Sequence, residues 1–283
     1  GAVCRVPTDM VSRSRSMEKR RYPLRTPNRP PQGDLVFGTQ SVLETLRSGK
    51  EIEKLLIQRE LGLAEIVKLA SELNIPYQRV PVEKLNRVTR KNHQGVVAFV
   101  SPIRYVPLHN VLTQVYEDGK TPLFLLLDRV TDVRNFGAIA RTAECAGVHS
   151  IIVPQKGGAQ INADAMKTSS GALNYLPVSR EASLAETLRY MSESGLQIVA
   201  CTEKADTELY DVDFTIPTVI IMGSEEDGIS DDLLKMANAR VRIPLLGQVE
   251  SLNVSAAASV ILYESVRQIK KTEWIYLSVF CII

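Results

Sequence analysis

The chain has 283 residues, 45% hydrophobic and 23% charged, with a formal net charge of +2. That is a globular composition with room for two domains of ordinary size, and a net charge this small does not by itself announce nucleic-acid binding. Four cysteines, Cys4, Cys145, Cys201 and Cys281, stand apart with no C-x-x-C pair; this excludes a zinc or disulfide framework and points to free thiols in a reducing, cytoplasmic setting.

The charge is unevenly spread. Residues 1–33 hold eight cations (Arg5, Arg13, Arg15, Lys19, Arg20, Arg21, Arg25 and Arg29) against Asp9 and Glu18, so the remainder of the chain is net acidic. This stretch also has five prolines and no apolar periodicity, and it cannot bury enough surface to fold alone. Three readings stay open for it: an arm that meets RNA phosphates, a solvated tail without an ordered role, or an organelle transit segment.

A first α/β unit is expected from Asp34 to Ser101. Leu35–Gly38 reads as a short strand and Ser41–Leu46 as a helix. Ile52–Ile57 is a strand, and Leu63–Leu73 is an amphipathic helix with Leu63, Ile66, Val67, Ala70 and Leu73 on one face. Tyr77–Val80 and Val96–Val100 are further strands. Between them, His93-Gln94-Gly95 is either a polar turn punctuated by glycine or a functional loop. Residues 102–121, broken by Pro102, Pro107 and Asp118-Gly119, read as a linker, with a short helix near Leu108–Tyr116.

The second unit, 122–270, alternates again. Leu123–Asp128 is a buried strand, and a helix over Phe136–Ala146 ends at Gly147. Strands follow at Ser150–Pro154, Gln197–Cys201, Thr218–Met222 and Val241–Leu245. Helices are expected at Ala163–Ser170, Leu184–Ser194 and Asp231–Ala237, the last capped by Ser230, and a final helix runs from about Val254 to Ile269. Continuous apolar strands joined by helices imply a mostly parallel sheet. The last residues, 271–283, form an apolar extension too short to span a bilayer.

No G-x-G-x-x-G follows the first strand of either unit and no G-x-x-x-x-G-K-[ST] occurs anywhere, which disfavours a nicotinamide or nucleotide enzyme on a dinucleotide-binding sheet. Three stretches carry the chemistry instead: NFGAIAR (Asn135–Arg141), MGSEEDGIS (Met222–Ser230) and SLNVSAAASVILYES (Ser251–Ser265). Each has a plain structural explanation. Asn135, Ser251 and Asn253 suit helix caps, Gly223 a tight turn, Glu225 a solvated acidic turn, Arg141 a surface ion pair, and Ile243 and Leu252 ordinary core.

Taken together and in this order, the three stretches resemble the SpoU/TrmH family of S-adenosylmethionine-dependent RNA ribose 2′-O-methyltransferases. A weaker resemblance upstream, at Phe37-Gly38 and His93-Gln94-Gly95, is to the small substrate-binding domain of the branch that methylates a guanosine ribose in large-subunit ribosomal RNA. The resemblance implies a C-terminal α/β domain tied in a deep trefoil knot, a small N-terminal α/β domain that binds RNA, and a homodimer, without metal or membrane. It implies that Gly223, Ile243 and Leu252 hold S-adenosylmethionine, and that Arg141, Asn135, Glu225, Ser251 and Asn253 form the catalytic site. Arg141 would take the ribose 2′-OH proton or, remaining a cation, orient the adjacent phosphate and stabilise developing alkoxide charge. Where the family has proline two residues before Asn135, this chain has Val133. The small residues of the final helix suit either intrachain packing or the dimer interface. The alternatives to an rRNA enzyme are a tRNA 2′-O-methyltransferase, or an RNA-binding or ribosome-assembly module on an idle methyltransferase fold.

Overall fold

The computed structural model describes residues 35–280, the last eight as helix backbone only. The basic segment 1–33 and the residues after Phe280 lie outside the described residues.

The small domain runs β1 (Leu35–Phe37), α1 (Thr39–Arg47), β2 (Ile52–Gln58), α2 (Ala64–Glu72), β3 (Tyr77–Val80), α3 (Val82–Val88) and β4 (Val96–Val100). Its sheet has the order β1-β4-β2-β3, with β2 and β3 parallel and the other pairs antiparallel. Side chains alternate across a strand. Leu55 and Ile57 of β2 therefore pack with Val42, Leu46, Ile66 and Ala70 of α1 and α2, while Leu56 meets Val80, Leu85 and Val97 on the α3 side.

His93 is buried in this domain. Its Nδ1 accepts from the Gly95 amide at 3.0 Å, so Nε2 carries the proton and donates to Asn86 Oδ1 at 2.9 Å. The Gln94 side chain accepts from the Thr39 amide and hydroxyl at 2.9 and 2.6 Å, at the start of α1. Gly95 sits at φ +80°, a backbone conformation that other residues rarely adopt. His93 and Gln94 thus hold the loop's own backbone, as a polar turn would, while Gln94 stays exposed.

The second unit comprises α4 (Leu108–Glu117), β5 (Leu123–Asp128), α5 (Val133–Cys145), β6 (Ser150–Pro154), α6 (Ala163–Thr168), β7 (Val178–Glu181), α7 (Leu184–Glu193), β8 (Gln197–Cys201), β9 (Thr207–Glu208), β10 (Thr218–Gly223), α8 (Asp231–Met236), β11 (Ala239–Arg242) and α9 (Val254–Phe280). Its seven strands lie in the order β7-β6-β5-β10-β8-β11-β9, every neighbouring pair parallel. One face carries α5, α6 and α9, with Phe136, Ile139, Met166, Ile261 and Leu262 over Leu125, Leu127, Ile151 and Ile220. The other carries α4, α7 and α8, with Val111, Leu112, Leu188, Met191 and Leu233 over Phe124, Leu126, Ile152 and Ile221. Both faces being covered explains the unbroken apolar strands.

Three expectations need correction. Residues 102–121 are not a free linker: α4 starts directly after Pro107 and buries Leu108, Val111, Leu112 and Val115 in the second core. Helix α5 starts at Val133 rather than Phe136, and its N-cap is Asp132, whose carboxylate accepts from the Asn135 amide at 2.7 Å. Helix α9 does not stop at Ile269 but runs to Phe280, because no glycine or proline follows Asn253 to end it.

Candidate functional site

The chain order reverses between β5 and β10: β6 and β7 extend the sheet from β5 on one side, and β8 and β11 from β10 on the other. In open α/β sheets the crevice outside the carboxyl ends of strands at such a point is where ligands bind. Here Asp128 and Gly223 end β5 and β10 side by side. A cavity of about 390 Å³ opens beyond them, between the carboxyl ends of β8 and β10, the loop after β11 and the start of α9.

The turn after β10 is built tightly. Gly223 lies against the returning chain, so that an added Cβ would sit 2.1 Å from the carbonyl carbon of Gly228. Gly228 closes the turn at φ +68°, its amide donating to Ser224 O at 3.0 Å. The turn is held from β5. The buried Asp128 accepts from the Ser230 amide at 2.7 Å, and Arg129, in the left-handed region at φ +56°, donates to Gly228 O and to Asp227 at 3.2 Å each. A non-glycine residue at such a φ is uncommon and marks a position fixed by its surroundings. Ser230 begins α8, but its side chain makes no capping bond.

Glu225, on this turn, is the centre of a polar cluster. Its Oε1 accepts from Asn253 Nδ2 at 2.7 Å, Asn135 Nδ2 at 3.1 Å and the Val254 amide at 3.3 Å. Asn253 Nδ2 also reaches Asn135 Oδ1 at 3.2 Å. Meanwhile Asn253 Oδ1 accepts from the Ser255 amide at 2.9 Å and its hydroxyl at 2.6 Å, capping α9. Capping and site-building thus fall on the same asparagine, and the carboxylate sits at a helix N-terminus, where negative charge is favoured. Because Asp132 takes the capping position on α5, the Asn135 side chain is free to join the cluster.

Of the eight residues singled out in the sequence, Gly223, Glu225, Ile243, Ser251, Leu252 and Asn253 line the cavity, and Asn135 is bonded into its rim. Arg141 does not join them. It is exposed and makes no hydrogen bond or ion pair with any described residue. Six residues of α-helix turn through about 600°, so Arg141 stands roughly 120° around α5 from Asn135. The next residue, Thr142, meets Ser259 across α5 and α9 at 3.2 Å between hydroxyl oxygens, so this part of the small-residue run serves intrachain packing. Gly137 serves close packing too: a Cβ there would lie 2.7 Å from Thr168 Cβ and 3.0 Å from Ala165 O, on α6.

Asp128 and Arg129 are the site-shaping residues that the sequence reading missed. The available signal was a charged pair at the end of an apolar strand. Cys201 also lines the cavity; burial, and then the neighbouring Glu203 charge, push its thiol up to about 12, so it stays protonated at neutral pH. Among the described residues no three His, Cys, Asp or Glu side chains are grouped to hold a metal ion, and no helix is long and apolar enough to cross a membrane.

A parallel α/β sheet with a cavity of ligand size outside the carboxyl ends of β8 and β10 defines the class of α/β proteins that bind a small molecule at the carboxyl edge of the sheet. Comparison with known proteins names the family. Residues 122–263 match the SpoU rRNA Methylase family, and residues 35–106 match the RNA 2′-O ribose methyltransferase substrate binding domain. The chain belongs to the SpoU/TrmH family of RNA methyltransferases. A Bacillus subtilis protein assigned by its name to the TrmH tRNA/rRNA methyltransferase family is 34% identical over 240 residues, 84% of this chain and 96% of its own. A Mycobacterium leprae tRNA/rRNA methyltransferase, uncharacterized, is 35% identical over 251 residues, 87% and 81% of the two chains. Among solved structures, the SpoU methyltransferase AviRb of Streptomyces viridochromogenes in complex with AdoMet superposes with a TM-score of 0.54 at 29% identity, covering 83% of this chain and 89% of that one. The AdoMet-bound rRNA methyltransferase of Sinorhizobium meliloti gives 0.53 at 26%, covering 83% and 87%.

The family's cofactor is S-adenosylmethionine, and the cavity suits it. Met222, Ile243, Leu245 and Leu252 offer apolar surface for a purine, whereas Glu203, Glu225 and Glu250 supply negative charge for a cationic ligand.

Proposed function

We propose that this chain methylates a ribose 2′-OH in structured ribosomal RNA, with a guanosine as the expected target. The observation that carries this reading is the Glu225 cluster, which joins three segments distant in sequence at the mouth of the cavity. S-adenosylmethionine, when bound, supplies an electrophilic methyl group on a sulfonium. Gly223, Ile243 and Leu252 would hold it, with Ile243 and Leu252 framing the adenine.

The residues at the mouth divide the remaining work. Asn135 and Asn253 present oriented amides to the ribose side of the cavity, and Glu225 fixes both. Ser251, exposed on the cavity wall, is available to the RNA. Arg141 faces the RNA phosphate and the 2′-oxygen, either accepting the proton or stabilising the charge that develops as the proton leaves. Its position around α5 supports a homodimer in which one chain's Arg141 serves the other's cavity. Exposed Leu246 and Val249 beside the cavity, with Val260 and Tyr263 on the outer face of α9, supply apolar surface for that pairing. The C-terminal segments would thread as the family's trefoil knot.

Titration with S-adenosylmethionine tests the first step; no heat of binding removes the catalytic reading. Mapping 2′-O-methylation in ribosomal and transfer RNA from cells with and without the chain tests the substrate. Loss of a mark from transfer RNA alone would replace the ribosomal assignment.

A further inference from the structure

The turn that carries Glu225 is anchored at its two ends by different means. Gly223 is paired with Asp128 in the sheet, and Ile229 is buried in the second core. Between them Glu225, Glu226 and Asp227 are exposed, so burial does not hold them in place.

Polar bonds do that instead. Apart from bonds within the turn, and among the described residues, residues 225–228 make hydrogen bonds in two directions. Glu225 accepts from Asn135, Asn253 and the Val254 amide, while Asp227 and Gly228 accept from Arg129. Arg129 is therefore the side chain that ties the far limb of the turn, 227–228, to another part of the chain.

Arg129 is itself well fixed. Its Nε lies 3.3 Å from Asp128 Oδ1, on a carboxylate only 6% exposed that also accepts from the Ser230 amide. The next residue, Val130, is buried in the first core, and its carbonyl accepts from the Ala159 amide at 2.9 Å. Arg129 and Asn135 stand six residues apart, at the two ends of one segment. That segment holds the turn at both ends: Arg129 at Asp227 and Gly228, Asn135 at Glu225. Segment and turn thus form a closed circuit beside the cavity, with the Glu225 carboxylate as one of its links. A reacting group keeps its geometry only as well as the residues behind it are held.

We propose that Arg129 is a positioning residue for methyl transfer, acting through the turn 225–228 to hold the Glu225 carboxylate where it orients Asn135 and Asn253. The inference rests on the reading of the chain as a methyltransferase and deepens it. Gly223 is held by the sheet without Arg129, so the cofactor seat is spared and the ribose side of the cavity is what loosens.

The test uses Arg129→Gly, because glycine adopts the φ of +56° readily and the change removes the guanidinium alone. The first arm needs no activity. Hydrogen exchange of the Val254 amide, which donates to Glu225, is followed in the full chain without ligand. Exchange about tenfold faster in the variant is expected, as a loosened acceptor requires. Unchanged exchange overturns the link from Arg129 to Glu225. A chain that binds no S-adenosylmethionine and transfers no methyl group fails the methyltransferase reading, and this arm still reports on the link.

The second arm is a double-mutant cycle with Glu225→Ala. Arg129→Gly alone should lower kcat about tenfold while the Kd of S-adenosylmethionine moves by less than about twofold. In the Glu225→Ala background the same change should cost less than about twofold, because the residue it acts through is gone. Losses that multiply, or cofactor affinity falling in step with kcat, overturn the positioning role; a merely structural residue would give one or the other. If Arg129→Gly does not fold, Asp227→Asn, at a side chain 68% exposed, takes its place with the same signs expected.

Discussion

A single oxygen of Glu225 holds Asn253 at 2.7 Å and Asn135 at 3.1 Å, joining the starts of α9 and α5 across the mouth of the cavity. Glu225→Ala removes a charged acceptor from both amides and from the Val254 amide. Hydrogen bonds to charged groups contribute about 1.5–3 kcal/mol each, which corresponds to roughly 10–100-fold in rate per misoriented amide. The expected outcome is a kcat for methyl incorporation lowered by about 100-fold, with cofactor affinity less affected. Parallel loss of both constants would assign Glu225 to cofactor binding instead.

Gly223→Ala should abolish cofactor binding. The new methyl would meet main-chain atoms of Gly228 and Ile229 within 2.3 Å, and backbone cannot swing aside as a side-chain end can. Overpacking of this kind costs about 1–3 kcal/mol or more. A lowered Tm with no heat of S-adenosylmethionine binding is expected. An unaltered melting curve and an unaltered titration would mean that the turn relaxes freely.

Arg141→Ala should cost little stability, because the side chain is exposed and has no described partner, yet methyl transfer should fall by about two orders of magnitude or more. Arg141→Lys separates charge from shape. If the planar fork orients a phosphate, lysine rescues poorly; full rescue would reduce the role to that of a point charge.

Alkaline unfolding should report the joint between the two domains, where the Glu53 carboxylate pairs with Arg180 at 2.7 Å and accepts from the Tyr105 hydroxyl. Burial, then the charge of Glu53, raises the Tyr105 hydroxyl well above its ordinary value of 10.0, with Arg180 opposing. The unfolded chain therefore releases this proton first as pH rises. The stability contributed is complete below pH 10 and declines above it. Tyr105→Phe should lower stability at neutral pH by about 1.5–3 kcal/mol through the lost bond to Glu53, and should flatten the decline above pH 10. Denaturant titrations at neutral and alkaline pH measure both effects. An alkaline limb equally steep in the variant would place its origin elsewhere.

Much of the architecture was legible because burial writes itself into residue type. Leu123–Leu127 and Val96–Val100 are unbroken apolar runs, covered on both faces of their sheets. Helix α3 escaped notice because it is short and buries only Leu85. Helix α4 is the short helix expected near Leu108–Tyr116; only its burial in the second core goes against the reading of the prolines around it as linker punctuation, since Pro107 directly precedes its first turn. The capping of α5 was misplaced by three residues, although an aspartate ahead of Asn135 was the available clue. The polar cluster itself could not be read from spacing. Glu225 lies 90 residues from Asn135 and 28 from Asn253, and only the parallel sheet brings them together. Motif order suggested that these residues belong to one site, but the shared carboxylate oxygen is a fact of three dimensions.

The close approach of Gly228 to Gly223 has a bearing on redesign. That side of the cavity is main chain, which no substitution can reshape without collapsing the turn. Accepting a methyl donor with a bulkier transferable group would require carving space from the opposite wall, at Ile243, Leu245 or Leu252, where side chains rather than peptide groups set the boundary.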